Sequence, residues 1–428
     1  MKILVIGSGG RENAIVWKLS QSSKKHKIYC APGNPGIEMF VELAPIQVND
    51  LDGLLHFALE YGIDLTIVGP EIPLALGIVD LFNQHNLKIF GPTKSAAQLE
   101  TSKAFAKDLL KKYLIPTGDS STFDSYTDAK EYVDRCNIPI VVKADGLASG
   151  KGVYIAKTRV QAHEAIDLIM KKKIFGTAGN RIIIEEYLSG EELSVFAFTD
   201  GKQVSNLIAA CDYKQAYNKG QGPNTGGMGS YSPPGFWTST LEKMILNEIV
   251  LPTLRGLEKE GIVYKGILYV GLIMTSMGPK VLEFNCRFGD PECQVILPRL
   301  ETDLIDVILS VINQILTENT VKWSSDTSIG VVMASKGYPG NFNVGYKISG
   351  HEQLNDNHLV FHSGTKSQVS KESKEHILVT AGGRVLTLVS LGKNLKEARD
   401  LVYQGIDKVA FTDSFYRIDI GQSNQANQ

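Results

Sequence analysis

The chain opens by alternating short apolar strands with helical stretches, and this alternation constrains the fold more than any other feature of the 428-residue sequence. Ile3 to Ile6, a glycine turn and the helical segment Arg11 to Leu19 are followed by Ile28 to Cys30, Leu54 to Tyr61, Leu65 to Val68, Leu76 to Phe82 and Lys88 to Phe90. Strands of four or so apolar residues separated by helices imply a parallel α/β sheet covered on both faces. Ligands of such sheets bind beyond the carboxyl ends of the strands. The loops there are Gly7 to Glu12, Ala31 to Gly36 and Gly69 to Glu71, three ligand-competent turns on one edge.

The length exceeds the ~250–300 residues at which one core stops growing, so about three domains are expected. The texture changes near Thr101, where the lysine-rich helix Ser102 to Lys112 leads to the strand Ile140 to Lys143, a glycine-rich loop and the strand Val153 to Ala156. Further strands are expected at Arg181 to Glu186, Glu192 to Thr199, Gly266 to Thr275 and Val281 to Asn285. A long polar loop from Asp212 to Tyr231 and a helix near Leu241 to Lys259 lie between them. Beyond the helix Asp303 to Leu316, strands near Ile329 to Ala334, Val360 to His362 and Arg384 to Val389 and a helix near Leu395 to Ile406 form a third region. The expected units are 1–105, 106–318 with a lid at about 118–190, and 319–428.

Net charge separates function classes here. Forty-four basic against 46 acidic residues leave −2, which supplies no field for nucleic acid or an anionic membrane. No apolar run approaches the ~18–20 residues that span a bilayer, and Met1-Lys2 passes directly into a strand without a signal-peptide core. A cytoplasmic location is expected. The five cysteines include no CxxC pair, so reduced, buried thiols are expected rather than disulfides or a thiolate zinc site.

Five motifs carry chemistry. Gly7-Ser8-Gly9-Gly10-Arg11-Glu12 begins like a dinucleotide fingerprint, but Glu12 stands where its third glycine belongs, which disfavours a nicotinamide cofactor. The turn still places backbone donors at a helix N-terminus, a cradle for a phosphate or small anion, unless it is only a tight turn. Lys143 ends a strand before the loop Ala144 to Val153, which holds Gly150 and Lys151. Gly152 follows Lys151 where a Walker A loop requires Ser or Thr, so a strand lysine beneath a glycine-rich hairpin, as in kinases, is the closer analogy. The alternative is a hairpin with surface lysines. Arg181 to Glu186 ends in two carboxylates before Tyr187 and Leu188, a segment able to offer backbone to an adenine edge, with Glu192 on the ribose, or else only a charged hairpin end. Gly220 to Gly229 is rich enough in glycine for close backbone approach to a ligand, against the alternative of a disordered connector.

Glu283 to Glu292, EFNCRFGDPE, is the most specific. Alternation along a strand puts Glu283 and Asn285 on one face, two hard oxygens suited to Mg²⁺. Arg287 follows, and Asp290 and Glu292 lie on a Gly-Asp-Pro turn. A polar strand end with surface charges is the alternative, but burying Glu283 and Asn285 without a partner would be costly.

Taken in order, GSGGRE, APGNPG from Ala31, IVGPE from Ile67, ADGLASGKGV from Ala144, GPNTGGMG from Gly222 and EFNCRFGDPE make the chain resemble, over essentially its whole length, the glycinamide ribonucleotide synthetases of the ATP-grasp superfamily. The last two motifs are specific to that family. The resemblance implies an α/β protein with an N-terminal open parallel sheet domain, a central ATP-grasp unit (a small lid plus a larger α+β subdomain) and a C-terminal α+β domain. It implies a purine-biosynthesis ligase that joins glycine to 5-phosphoribosylamine through a glycyl phosphate while ATP becomes ADP and phosphate. Lys103, Lys143, Gly150 and Lys151 would meet the ATP phosphates, the Glu185, Glu186 and Leu188 segment the adenine, and Glu192 the ribose. Glu283 and Asn285 would hold Mg²⁺ or Mn²⁺. Substrate contacts are implied at Gly9, Gly10, Asn34, Pro35, Gly36, Gly69, Glu71, Asp212, Lys214, Gly227, Arg287, Asp290 and Glu292, with Arg287 and Lys143 catalytic. A monomer is expected, touching at most the preceding pathway enzyme.

Asn13 and Tyr213 stand where the family usually carries histidine, and Cys293 where it carries threonine, which leaves the roles of Asn13 and Tyr213 open. Gly266 to Thr275 supplies no carboxylate, so metal coordination is expected to lean on phosphates and water. The last hundred or so residues carry few chemical signals and are expected mainly to close the site. A purine-pathway carboxylase or formyl transferase, and a non-catalytic or nicotinamide-binding protein, are the rival readings.

Overall fold

A computed structural model describes residues 1–147, 152–370 and 374–422. Five parallel strands, β1 (Lys2–Gly7), β2 (Lys27–Pro32), β3 (Glu42–Leu43), β4 (Leu65–Val68) and β5 (Ile89–Phe90), form the N-terminal sheet in the order β3-β2-β1-β4-β5. Ile3 to Ile6 are fully buried, because helices such as Gly10–Ser20 and Leu51–Tyr61 cover the sheet. Strand order reverses between β1 and β4, so the turns after Gly7 and Val68 flank the switch-point crevice.

A four-stranded antiparallel sheet follows, β6 (Ser120–Phe123), β7 (Ile140–Ala144), β8 (Val153–Ala156) and β9 (Ile182–Glu186), in the order β6-β9-β7-β8. Helices Tyr126–Arg135 and Arg159–Ile166 back it through Ala129, Val133, Ala162, Ala165 and Ile166. Sequence patterning missed both helices, since each turns few apolar side chains inward among many charges. Their N-caps, Ser125 and Thr158, are the legible signals.

The largest sheet has nine strands. It runs β16 (Gly278–Asn285), β15 (Gly266–Thr275), β10 (Glu191–Thr199), β11 (Ile208–Asp212), β14 (Gly229–Ser232), β17 (Thr327–Ser335), β21 (Arg384–Gly392), β18 (Leu359–His362), with β22 (Ser414–Phe415) beside β17. Pairing of β14 with β17 therefore carries one sheet across the 318/319 boundary expected from sequence. Asp212 to Tyr231 is not one long loop. It contains the hairpin β12 (Gln215–Tyr217) and β13 (Gln221–Asn224) and most of β14. Serines disguise β14 as polar loop, but Ser230 Oγ donates to Cys211 O at 2.8 Å and Ser232 Oγ to Ala209 O at 2.6 Å, so their hydroxyls are satisfied inside the sheet. A second hairpin pairs β19 (Thr365–Val369) with β20 (His376–Thr380), where the sequence patterning predicts no strand.

The helix expected at Leu241 to Lys259 consists of Ser239–Ile245 and Leu251–Lys259 joined by a π turn. Of the five unpaired cysteines, four are buried and Cys136 is half-buried. No helix of the described residues is long and apolar enough to cross a membrane.

Candidate active site

A cleft of about 590 Å³ lies where the three sheets meet. Its floor is a triad of buried charges. Lys143 from β7 and Lys107 from the helix Lys103–Lys112 each place Nζ 2.9 Å from the same oxygen, Oε2, of Glu185 on β9. Burial would raise the Glu185 carboxyl, but the two ammonium groups outweigh it and hold it below the usual range. Lys107 also donates to Thr117 Oγ1 at 2.8 Å, whereas Lys143 lines the cleft and reaches Leu282 O at 3.3 Å. Lys103 Nζ donates to Gly146 O at 3.0 Å, and burial lowers its pKa. Gly150 and Lys151 lie outside the described residues. Glu185 to Leu188 line the cleft wall together.

β16 forms the opposite wall. Glu283 and Asn285 both face the cleft, as strand alternation requires. Burial works against the Glu283 carboxylate, but Lys214, Lys143, Lys103 and Arg287 hold its pKa down. Two hard oxygens, one of them kept ionised, fit a Mg²⁺ ion that shares phosphate oxygens and water. Among the described residues no group of three His, Cys, Asp or Glu side chains could hold a metal by itself.

Arg287 sits in a knot of charge that sequence reasoning saw only in part. Its Nη2 is 2.8 Å from Glu100 Oε1 and its Nε 3.4 Å from Glu71 Oε2, while Nη2 also donates to Asn285 Oδ1 at 3.2 Å. Arg11, paired with Glu12 at 2.6 Å, joins Arg287 in donating to Phe288 O, each at 3.2 Å. Glu100 accepts the Cys286 N–H at 2.7 Å. Arg11 belongs to the GSGGRE motif, but its contact with Phe288 O spans 277 residues of sequence. Glu100 has no local signal, since its partners lie 186 residues away.

The GSGGRE turn is filled from within. Glu12 Oε2 accepts the Gly9 N–H at 2.7 Å, and a Cβ at Gly7 or Gly69 would fall 2.3 or 2.2 Å from the Glu12 side chain. Of the anion cradle expected at this turn, the Gly9 donor is therefore held by the Glu12 side chain. Asn34 caps the helix Pro35–Glu38 through its Oδ1 and spends Nδ2 on Ser8 O and His362 O, each at 2.8 Å. Gly9, Gly10, Asn34, Pro35, Gly36 and Gly69 gather beyond β1, β2 and β4 and do not line the main cleft. His362, Ser363 and Gln294 crowd Gly10 and Gly36 there.

The remaining substrate candidates converge. Glu292, buried, accepts from Tyr269 OH at 2.7 Å and Ser194 Oγ at 3.1 Å. Burial, then the Glu292 charge, push the Asp212 carboxyl well above its ordinary range, and its Oδ1 has no hydrogen-bond partner among the described residues. Lys214 pairs with Glu192 at 2.6 Å, so the residues expected on substrate and on ribose meet each other. Asp290 accepts from Gln294 Nε2 at 2.8 Å and pairs with Arg384 at 3.3 Å. Gly227 lies beside Asp212 and Pro291.

Two of the three departures from the family pattern find local roles. Asn13 Oδ1 accepts the His362 N–H at 2.7 Å, tying the first helix to β18. Tyr213 OH accepts from Gly421 N at 3.0 Å, with the Arg417 guanidinium 4.8 Å from its ring centroid.

Profiles for phosphoribosylglycinamide synthetase match residues 1–100 (N domain), 101–293 (ATP-grasp (A) domain) and 328–423 (C domain). The phosphoribosylamine–glycine ligase of Caldanaerobacter subterraneus subsp. tengcongensis is 49% identical over 424 residues, covering 98% of this chain and 99% of that protein. That of Halalkalibacterium halodurans is 50% identical over 421 residues, 98% and 96% of the two chains. The crystal structure of phosphoribosylamine–glycine ligase from Thermotoga maritima superposes with a TM-score of 0.85 at 32% identity, covering 98% of this chain and 100% of that one. A biotin carboxylase from Campylobacter jejuni shares the fold, with TM-score 0.72 at 14% identity over 100% and 95% of the chains.

Proposed function

The chain belongs to the phosphoribosylglycinamide synthetase family, as an ATP-dependent phosphoribosylamine–glycine ligase of purine biosynthesis, and we propose how its residues divide that work. One observation carries the division: Glu283, whose charge is held by Lys143 and Lys103, and Asn285 are followed within a few residues by Arg287, Asp290 and Glu292, all lining the single cleft that Asp212 also lines. One half takes MgATP and the other glycine and 5-phosphoribosylamine.

In this reading Lys143, Lys103 and Lys151 neutralise the ATP phosphates and Gly150 offers its backbone N–H to them; the Glu185 to Leu188 backbone receives adenine and Glu192 the ribose. Glu283 and Asn285 would hold Mg²⁺, which supplies charge neutralisation across the phosphates. A glycine carboxylate oxygen attacks the γ-phosphorus as the bond to the ADP oxygen breaks, giving glycyl phosphate. The amine nitrogen of phosphoribosylamine then attacks the acyl carbon; the C–O bond to phosphate breaks and the amine gives up a proton. Arg287, held by Glu100 and Glu71, faces the charge that develops on the acyl phosphate. Asp212, Lys214 and Glu292 bind the polar ends of the two co-substrates, with Gly227 beside them. We place the phosphoribosyl group at the sheet-edge cluster of Gly9, Gly10, Asn34, Pro35, Gly36 and Gly69, reached past Glu71 and Asp290.

The test mixes purified protein with MgATP, glycine and freshly generated phosphoribosylamine and follows ADP release and product mass. ADP release that requires both co-substrates is expected. Release that requires bicarbonate instead would overturn the reading in favour of a carboxylase.

A further inference from the structure

Within the C-terminal region, two side chains grip the glycine-rich loop from both sides. Tyr338 OH accepts the Gly226 N–H at 2.9 Å, and Arg384 Nη1 donates to Gly226 O. The same Nη1 donates to Asp290 O at 2.8 Å and pairs with Asp290 Oδ1 at 3.3 Å. One guanidinium thereby joins the loop Asn224 to Gly227 to the Asp290 turn. The fit is close: a Cβ on Gly226 would lie 2.9 Å from the Arg384 Cζ, so the guanidinium rests directly on the loop backbone. Tyr338 packs just as tightly, since a Cβ on Gly383, the residue before Arg384, would fall 2.2 Å from the Tyr338 ring. The clamp is thus one assembly at the β17–β21 end, where Ala334 pairs with Arg384.

Its effect reaches the carboxylate pocket through the next residue. Gly227 has φ +106°, and its Cβ position lies 2.7 Å from Asp212 Oδ1 and 2.3 Å from Pro291 Cδ. Moving Gly226 by a few tenths of an ångström shifts Gly227 against both walls. The nucleotide half, by contrast, is held by Lys143, Lys107 and Glu185, none of which touches the clamp.

We propose that Arg384 and Tyr338 are positioning residues for the glycine and phosphoribosylamine half of the cleft, so that the C-terminal region builds the acceptor site rather than merely covering it. The proposal rests on the division of the cleft drawn above. The contacts that join loop and turn come from one nitrogen, Nη1, so a lysine keeps the charge and part of the bridge, whereas glutamine loses the charge.

The experiment compares wild type, Arg384→Gln, Arg384→Lys and Tyr338→Phe, with each of the three substrates varied in turn, and with binding of a non-hydrolysable ATP analogue measured by calorimetry. Losing a hydrogen bond to a charged group corresponds to roughly tenfold or more. Arg384→Gln is expected to raise KM for glycine and phosphoribosylamine about tenfold or more, and Arg384→Lys, which keeps the charge, to raise both by less. Tyr338→Phe, a gentler change at the same loop, is expected to raise the same two constants about threefold. Affinity for the ATP analogue stays within about twofold in all three. Added methylguanidine is expected to restore part of the activity of Arg384→Ala and to leave wild type unchanged, which a general loss of packing would not allow. Equal losses for ATP and the co-substrates, or unchanged constants in Arg384→Gln, would overturn the proposal. A wild-type enzyme needing neither glycine nor phosphoribosylamine would instead overturn the ligase assignment itself.

Discussion

Lys143 Nζ lies 2.9 Å from Glu185 Oε2 with both side chains buried, and Lys107 meets the same oxygen at the same distance. Two cations on one carboxylate leave net positive charge under the cleft, which suits nucleotide phosphates. Removing the carboxylate leaves two buried ammonium groups facing each other, a loss on the order of 3 kcal/mol. Glu185→Gln is therefore expected to lower the urea midpoint of unfolding and to weaken binding of a fluorescent ATP analogue about tenfold or more. Unchanged nucleotide affinity in a folded variant would refute this arrangement.

Glu283 is the ionised member of the proposed metal pair. Glu283→Gln keeps the shape of the side chain but removes the charge, so turnover is expected to fall at least about 100-fold while far-UV circular dichroism is retained. Near-normal activity at saturating Mg²⁺ would sink the metal assignment.

Gly227 is held at φ +106°, a conformation that glycine alone adopts readily. A methyl group there would also strike Pro291 at 2.3 Å. Gly227→Ala is expected to destabilise the fold by about 1–3 kcal/mol and to raise KM for glycine. Gly235→Ala, where a Cβ would meet nothing within 4 Å, is the control and should leave both unchanged.

Burial, with His351 nearby, lowers the pKa of His362 from 6.5 to about 4. The unfolded chain takes up the proton near 6.5 and the native chain only near 4. This contribution to stability is complete above pH 6.5 and is lost as pH falls towards 4. Between pH 7.5 and 5 the loss is about 2 kcal/mol. Urea unfolding at the two pH values should show His362→Gln to be less pH-dependent by that amount. Equal slopes would mean that the native ring titrates as the unfolded one does.

Periodicity made most of the scaffold legible. Ile3 to Ile6, Leu65 to Val68 and Val281 to Asn285 stand where alternation and apolar runs put them, and the helix Leu395–Ile406 matches its expected span. The polar strand β14 and the charged helix Tyr126–Arg135 were not legible, because their burial is supplied by neighbours distant in sequence. In the cleft, Glu283 and Asn285 could be paired from their spacing in one strand.

Local order along the chain was enough for strands, glycine turns and the family motifs, since each depends on residues a few positions apart. Which charges meet depends instead on how strands pair. Lys107 reaches Glu185, Glu100 reaches Arg287, and Arg384 reaches Gly226 and Asp290 only after three sheets have packed together. Electrostatic partnership falls off with distance in space and is indifferent to separation in sequence. The motifs proposed for ATP are therefore readable in one dimension, whereas the buried partners of Lys143 and Arg287, and the clamp from the C-terminal region, belong to tertiary structure.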